Sequence, residues 1–387
     1  MKAVFVSLGT SREYERGLLR GISRYNSLHR RWRIDLSAGE DLRSQISDLK
    51  FSARDVDGVI MPDRRGSPAL LKRGIPIVFV SVLHKDIRHS HRVVSDDEAI
   101  GRMAAAHLLE RGLRHFAFVG YDGLYWSRQR QASFSQALAD AGRACAVFEQ
   151  ARDLRLRVWR KEQKALAEWL KALPRPVGVM ACNDDRARQV ADACAMVDLA
   201  VPEDVAILGV DNDELVCDFS NPPISSISLD LEDAGYRAAI LLDGMMAAKD
   251  SPGACSADQI SVSPASIVVR RSTEVAIVQD SCVMQALRFI RENSDRPVQV
   301  DDVVRQVAIS RRSLFDRFRR TVGCTVYQYI KRTRAARIEE LLLGTSHPIG
   351  EIAAMLGFSD SDHVAQYFRS IKGMNPGVFR ARHAHRH

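Results

Sequence analysis

The last third of the chain repeats one short plan twice, and that repetition constrains the fold more than any other feature. In the second copy, Ile349, Ile352, Ala353 and Leu356 recur at the i, i+3, i+4, i+7 spacing of one helical face. Gly357 follows, where a helix end favours a residue tolerant of positive φ. Ser359 stands where it can cap the next helix, whose apolar positions are Val364, Tyr367 and Phe368. In the first copy, Val300, Val303, Val304 and Val307 form the apolar face and Ala308-Ile-Ser310 the turn. A second helix from near Ser310 buries Leu314 and Phe318 and ends at Gly323. Two short helices joined in this way form a helix-turn-helix, whose second helix fits a DNA major groove. A helix predicted over 326–343 separates the copies and spans about 27 Å at about 1.5 Å per residue. That length suits two groove-entering helices set about one DNA turn apart, roughly 34 Å.

Charge agrees with this reading. The formal net charge is +8. The surplus of Lys and Arg over Asp and Glu within 281–387 equals all of it, while 1–280 are balanced. A basic surplus confined to a two-motif segment points to phosphate binding rather than to a solvated face. On the first groove-entering helix the outward set is Arg311, Arg312, Phe315, Asp316 and Arg319. Arg312 suits guanine O6 and N7, Phe315 a thymine methyl, and Asp316 the amino group of cytosine. On the second helix the outward set is Ser361, Asp362 and Gln366, with Gln366 suited to adenine. Asp362 has a competing role as an N-terminal charge that favours the helix dipole. Arg311, Arg319, Arg320, Arg334 and Arg369 are phosphate candidates, which position a protein without reading sequence.

Residues 282–382 resemble the AraC-family DNA-binding domain over its whole length. The resemblance is carried by Ser310-Arg-Arg-Ser-Leu-Phe-Asp-Arg-Phe-Arg-Arg-Thr-Val-Gly323, Glu351-Ile-Ala-Ala-Met-Leu-Gly-Phe358 and Tyr367-Phe-Arg-Ser-Ile-Lys-Gly-Met-Asn-Pro376. Val364-Ala365 departs from it, since a bulkier residue is usual there, and predicts looser packing under the second helix. The resemblance implies double-stranded DNA with adjacent major-groove half-sites as partner.

The first 270 residues alternate short apolar runs with amphipathic stretches. Strands are expected over 3–7, 33–36, 58–61, 77–80, 93–95, 116–120, 144–148, 178–181 and 206–210. Helices are expected over 14–25, 42–51, 97–111, 128–141, 161–173, 184–197 and 231–246. This βαβα rhythm predicts parallel sheets covered by helices, in two doubly wound lobes. Ligands of such folds bind beyond the carboxyl ends of strands. The loops there carry Tyr14, Arg16, Asp63, Asp96, Trp126, Arg130, Asn183, Asp184 and Asp211. Carboxylate, Asn and Arg groups can each bond two neighbouring hydroxyls, and an aromatic face covers C–H faces, so a small polyhydroxylated ligand fits. Asp97 and Asp184 compete as helix caps, Arg130 as a surface ion pair and Trp126 as loop packing.

This part resembles the effector domain of LacI-type regulators, a periplasmic-binding-protein fold. The matching stretches are Val94-Ser-Asp-Asp-Glu-Ala-Ile-Gly101, Ala181-Cys-Asn-Asp-Asp-Arg-Ala187, Val205-Ala-Ile-Leu-Gly-Val-Asp-Asn212 and Pro223-Ile-Ser-Ser-Ile227. The resemblance carries ligand contacts to Arg130, to Asn183 or Asp184, and to Asp211. The usual N-terminal headpiece has no counterpart; the AraC-type domain stands at the other end. An effector domain of this type followed by an AraC domain is similar to the bacterial xylose-operon activators. That likeness implies D-xylose or a related sugar as effector, a homodimer, contact with RNA polymerase and activation of pentose catabolic genes. The residues alone say a small polar ligand. Sensing of another metabolite, and constitutive DNA binding with a dimerisation-only first part, stay open.

The expected architecture is therefore an α/β two-lobed periplasmic-binding-protein-like domain over 1–270, a short linker over 271–281, and an all-α domain with two helix-turn-helix motifs over 282–387. The linker lacks Gly and Pro and is no floppy tether. The seven cysteines lack metal-ligand spacing and argue for reduced thiols in the cytoplasm. No run is apolar enough to span a membrane, and the N-terminus reads as a first strand rather than a signal peptide. No P-loop, G-x-G-x-x-G, G-x-S-x-G or H-E-x-x-H occurs, so no cofactor, metal or catalytic site is expected. The His-rich end, 380–387, reads as a frayed tail near phosphates.

Overall fold

The computed structural model describes residues 1–36, 56–63, 74–80, 90–150, 159–248, 258–274 and 280–383. The helix expected over 42–51 and the last His residues of the tail lie outside them. The chain divides into two compact units, Met1–Val275 and Ala276–His387.

The first unit contains two six-stranded sheets. One holds β1 (Lys2–Val6), β2 (Trp32–Leu36), β3 (Gly58–Pro62), β4 (Ile77–Val80), β5 (Arg92–Ser95) and β11 (Gln259–Val262), in the order β11-β5-β4-β3-β1-β2, all parallel. The other holds β6 (His115–Tyr121), β7 (Cys145–Gln150), β8 (Val177–Ala181), β9 (Val205–Val210), β10 (Ser225–Leu229) and β12 (Pro264–Val268), in the order β12-β10-β9-β8-β6-β7. Only β12 runs antiparallel to its neighbour. Strands β3, β4, β8 and β9 are buried along their whole length, as their unbroken apolar runs require when helices cover both faces. Strand β11 went unread, since four residues with only two apolar positions give little signal.

Among the described residues the helices of this unit are α1 (Glu13–His29), α2 (Asp97–Glu110), α3 (Tyr125–Asp140), α4 (Trp159–Ala172), α5 (Asp184–Met196), α6 (Glu214–Asp218) and α7 (Leu231–Ala248). Sheet membership makes the chain pass between lobes three times: through α2, through α7 and between β11 and β12. Helices α1 and α7 cross closely in the first lobe. A Cβ on Gly21 would stand 2.0 Å from the Glu232 carbonyl oxygen, and one on Gly235 would stand 2.1 Å from that of Leu18. Only glycine fits at either position.

The 3-10 turn Arg271–Thr273 belongs to this unit, with Ser272 and Thr273 fully buried. A linker starting at 271 therefore starts too early, because these two hydroxyls are packed and bonded inside the second lobe.

The second unit is helical: α8 (Ser281–Glu292), α9 (Val300–Gln306), α10 (Arg311–Val322), α11 (Val326–Gly344), α12 (Ile349–Met355), α13 (Ser361–Lys372) and α14 (Pro376–His383). Ser310 caps α10 by accepting from the Ser313 amide at 3.3 Å. Thr325 and Gln328 form a reciprocal capping box on α11. Leu314 and Phe318 are buried under α10, and Val364 and Phe368 under α13. Val364 has no exposure, so the smaller residue leaves no opening to solvent.

Candidate functional site

The two sheets present their carboxyl ends to each other. Glu13 and Arg16, just beyond β1, meet Asp213, just beyond β9. The Glu13 amide donates to Asp213 Oδ2 at 2.9 Å, and Arg16 Nη2 lies 2.9 Å from Asp213 Oδ1. Arg12 pairs with Asp185 at 3.2 Å. These contacts bridge the cleft from the start of α1 in one lobe to the loop beyond β9 and the first turn of the helix Asp184–Met196 in the other. Arg16, expected to hold a ligand, is thus engaged in clasping the lobes.

Arg130 is the centre of the second lobe's wall. Its side chain is 2% exposed. Nε donates to Asp97 Oδ1 at 2.9 Å, and Nη1 donates to the Cys182 carbonyl at 2.6 Å and lies 3.7 Å from Asp211 Oδ1. Its guanidinium carbon stands 5.0 Å from the centre of the Trp126 ring. A surface ion pair is therefore the wrong reading of Arg130. Trp126 sits inside α3, which starts at Tyr125 rather than at 128. No side chain caps this helix, so its beginning carried no sequence signal.

Asp211 supplies an open acceptor beside Arg130. Its Oδ1 accepts no hydrogen bond among the described residues. Its backbone has φ 102, a conformation a non-glycine residue rarely adopts, and Asn212 follows with φ 51. Burial pushes the Asp211 carboxyl up to about 6, against the opposing pull of Arg130 and Arg12.

The caps fall one residue earlier than weighed. Asp96 Oδ1 accepts from the Ala99 amide at 2.9 Å and Asn183 Oδ1 from the Arg186 amide at 3.0 Å. Those oxygens are committed to helix ends, which leaves Asp97 free to hold Arg130. Asp184 is buried with both oxygens in use. Oδ1 accepts from Ser226 Oγ at 2.5 Å and Oδ2 from the Asp213 amide at 2.7 Å. Burial, then the nearby Asp211, raises its carboxyl well above the usual range. Asp184 thus braces the loop that carries Asp211 rather than lining the cleft. Asp63 is fully buried at the end of β3, and Tyr14 is half-buried at the start of α1. The contacts of Asp97, Asp213 and Ser226 escaped the sequence reading because their partners lie far along the chain.

In the second unit α10 turns Arg311, Arg312, Phe315, Asp316, Arg319 and Arg320 to solvent, opposite Leu314 and Phe318. Arg311 pairs with Asp301 and lies over the Phe315 ring at 5.3 Å. On α13 Ser361, Asp362, His363, Gln366, Arg369 and Ser370 are exposed. Its cap is Asp360, which accepts from the His363 amide at 2.7 Å; Ser359 Oγ donates to Asp360 at 2.9 Å and lies 3.2 Å from His363 Nδ1. Arg334 is not on the displayed face. It stacks on Phe358 at 3.9 Å and donates to the Leu356 carbonyl, so it ties α11 to the end of α12.

A two-lobed receptor for a small polar ligand, joined to a tandem helix-turn-helix reader, is the class that this geometry defines. Residues 105–273 match the periplasmic binding protein-like domain family, and 303–382 match a helix-turn-helix domain family. The chain is 30% identical over 379 residues to the xylose operon regulatory protein of Escherichia coli K12, covering 96% of this chain and 94% of that one. The counterpart of Haemophilus influenzae is 29% identical over 376 residues, covering 95% of each. A solved xylose-binding transcription activator matches at 28% identity with a TM-score of 0.80 over 98% of both chains. A cellobiose-bound transcriptional regulator shares the fold of the first unit, with a TM-score of 0.57. The chain belongs to the family of the xylose operon regulatory proteins. It is a DNA-binding transcription regulator. Among the described residues no helix is long and apolar enough to cross a membrane.

Proposed function

We propose that this protein is a D-xylose-responsive activator of pentose catabolic genes, acting in the cytoplasm. The observation that carries this reading is Arg130, buried between Asp97 and Asp211 with Trp126 against it. The family supplies the choice of pentose, through relatives named for xylose. Asp211 Oδ1 accepts from one sugar hydroxyl, and the Arg130 guanidinium donates to another. The Trp126 face covers a C–H face of the ring. Sugar bound between the lobes favours one lobe arrangement and shifts the equilibrium toward it. The DNA-binding unit reads adjacent major-groove half-sites through α10 and α13, as a homodimer that contacts RNA polymerase. The relatives are regulators, and no catalytic role is assigned to the paired acids of the cleft.

Calorimetry of the full-length protein with D-xylose, L-arabinose, D-ribose and D-glucose tests this. Selective heat with D-xylose is expected, lost in Asp211→Ala, with DNA affinity in the absence of sugar unchanged. Binding of another sugar in place of D-xylose would reassign the effector. Unchanged binding by Asp211→Ala would remove Asp211 from the site.

A further inference from the structure

The turn that carries Asp211 is bonded directly to the last described residues before the DNA-binding unit. Arg270 Nη1 donates to Asn212 Oδ1 at 2.9 Å and to the Ile224 carbonyl at 3.1 Å. Arg270 Nε pairs with Asp218 at 2.7 Å. The segment that Arg270 opens is then held on several sides. Ser225 Oγ accepts from the Arg270 amide at 2.8 Å and donates to the Arg270 carbonyl at 2.9 Å. Ser272 Oγ donates to the Ile207 carbonyl at 2.6 Å and accepts from the Ser225 amide at 2.8 Å. Thr273 Oγ1 donates to Ser225 Oγ at 2.7 Å and lies 3.0 Å from His107 Nε2. Arg111 donates to the Thr273 carbonyl. Asp280, the cap of α8, follows a few residues along the chain.

Asn212 is well placed to report on its neighbour. Its φ of 51 and the 102 of Asp211 make a backbone turn that only its surroundings hold in place. The Asn212 amide donates to Ser226 Oγ at 3.0 Å, and Ser226 is itself bonded to Asp184. A carboxylate drawn toward a sugar moves this turn as one piece, and the Asn212 amide oxygen moves with it. From the segment beyond β12, Arg270 reaches the turn through its side chain.

We propose that the Asn212–Arg270 hydrogen bond couples occupancy of the cleft to the segment entering the DNA-binding unit, with Arg270 as the positioning residue. This rests on Asp211 being a sugar contact, as proposed above. Neither Asn212 nor Arg270 is among the proposed sugar contacts, so losing their bond uncouples the two activities and leaves each intact.

The test uses full-length protein carrying Arg270→Met, Asn212→Gly or both, with Asp218→Asn as a control for the exposed ion pair. Calorimetry measures D-xylose binding. Fluorescence anisotropy measures binding, with and without D-xylose, to a duplex selected by the wild type from random sequence. Each single variant is expected to keep its D-xylose Kd and its sugar-free DNA Kd within about 2-fold of wild type. The sugar-induced change in DNA Kd, roughly 5- to 150-fold for couplings of this kind, falls to within about 2-fold of unity. The double variant loses no more, and Asp218→Asn keeps the response. A full sugar response in both single variants overturns the proposal. Hydrogen exchange at the Ser272 and Thr273 amides provides a reading that needs no ligand. Faster exchange in Asn212→Gly upholds the link even where wild type fails to bind D-xylose, which would defeat only the choice of sugar. Unchanged exchange overturns the link whatever the ligand.

Discussion

The two units handle charge in opposite ways. In the first, Arg130, Asp97, Asp184 and Asp211 are drawn into the protein and held by one another or by hydroxyls and amides. In the second, Arg311, Arg312, Arg319 and Arg320 stand in solvent on one helix face. Buried charges are costly to desolvate, so they persist only where partners fix them, and they then orient whatever enters. Exposed charges fix no geometry but meet phosphates at long range and release counterions. The first unit therefore answers to pH and the second to salt.

The largest expected effect is that of Arg130→Met. It leaves Asp97 and Asp211 without their cation, and denaturant unfolding of the first unit should lose about 3–5 kcal/mol at pH 8. The loss should shrink as pH falls through about 6, where the Asp211 carboxyl takes up a proton. Equal losses at both pH values would show that packing, not charge, gives Arg130 its role.

The matching change in the second unit is Arg319→Gln with Arg320→Gln. The slope of log K for DNA against log salt should fall by about 2, with affinity lower on every sequence and D-xylose binding unaltered. An unchanged slope would place both side chains away from phosphates.

Asp211→Asn sharpens the pH side. The folded-state carboxyl at about 6 lies above its unfolded value near 3.9. Such a group favours folding below the unfolded value, and that contribution is lost as pH rises through 6. The amide variant escapes this loss. Its thermal stability should exceed wild type by about 3 kcal/mol at pH 8 and equal it below about pH 4. A constant offset across that range would refute the assignment to Asp211.

The smallest effect concerns α13, whose face carries Asp362 beside Arg369. Asp362→Asn should tighten DNA binding about 2-fold at low salt by removing a repelled charge. Weaker binding would mean that Asp362 accepts from a base.

Much of this was legible before any coordinates. Phe318 and Phe368 are buried where helical periodicity put them, because a short helix must turn its few large apolar groups inward. The outward set of α10 followed by subtraction. The caps were less legible. In Asp96-Asp97 and Asn183-Asp184, and at Ser359-Asp360, two polar residues compete. In the last two pairs the cap is the residue in extended backbone, Asn183 at φ −157 and Asp360 at φ −164, while Asp96 caps from φ −78. Neighbouring side chains of similar chemistry do not reveal that choice.

The sequence by itself determined the plan of this protein: two doubly wound lobes, a basic tandem helix-turn-helix, and a polar loop at Asp211 just beyond a strand's carboxyl end. These follow from periodicity and local chemistry, which act between residues a few positions apart. Only the tertiary structure decided which acid holds Arg130, that Asp184 braces rather than lines the cleft, that Arg334 packs inside, and that Arg270 reaches Asn212. Each of these is a contact between residues far apart in the chain. Its partner is set by how sheets and helices stack, and no local pattern records that.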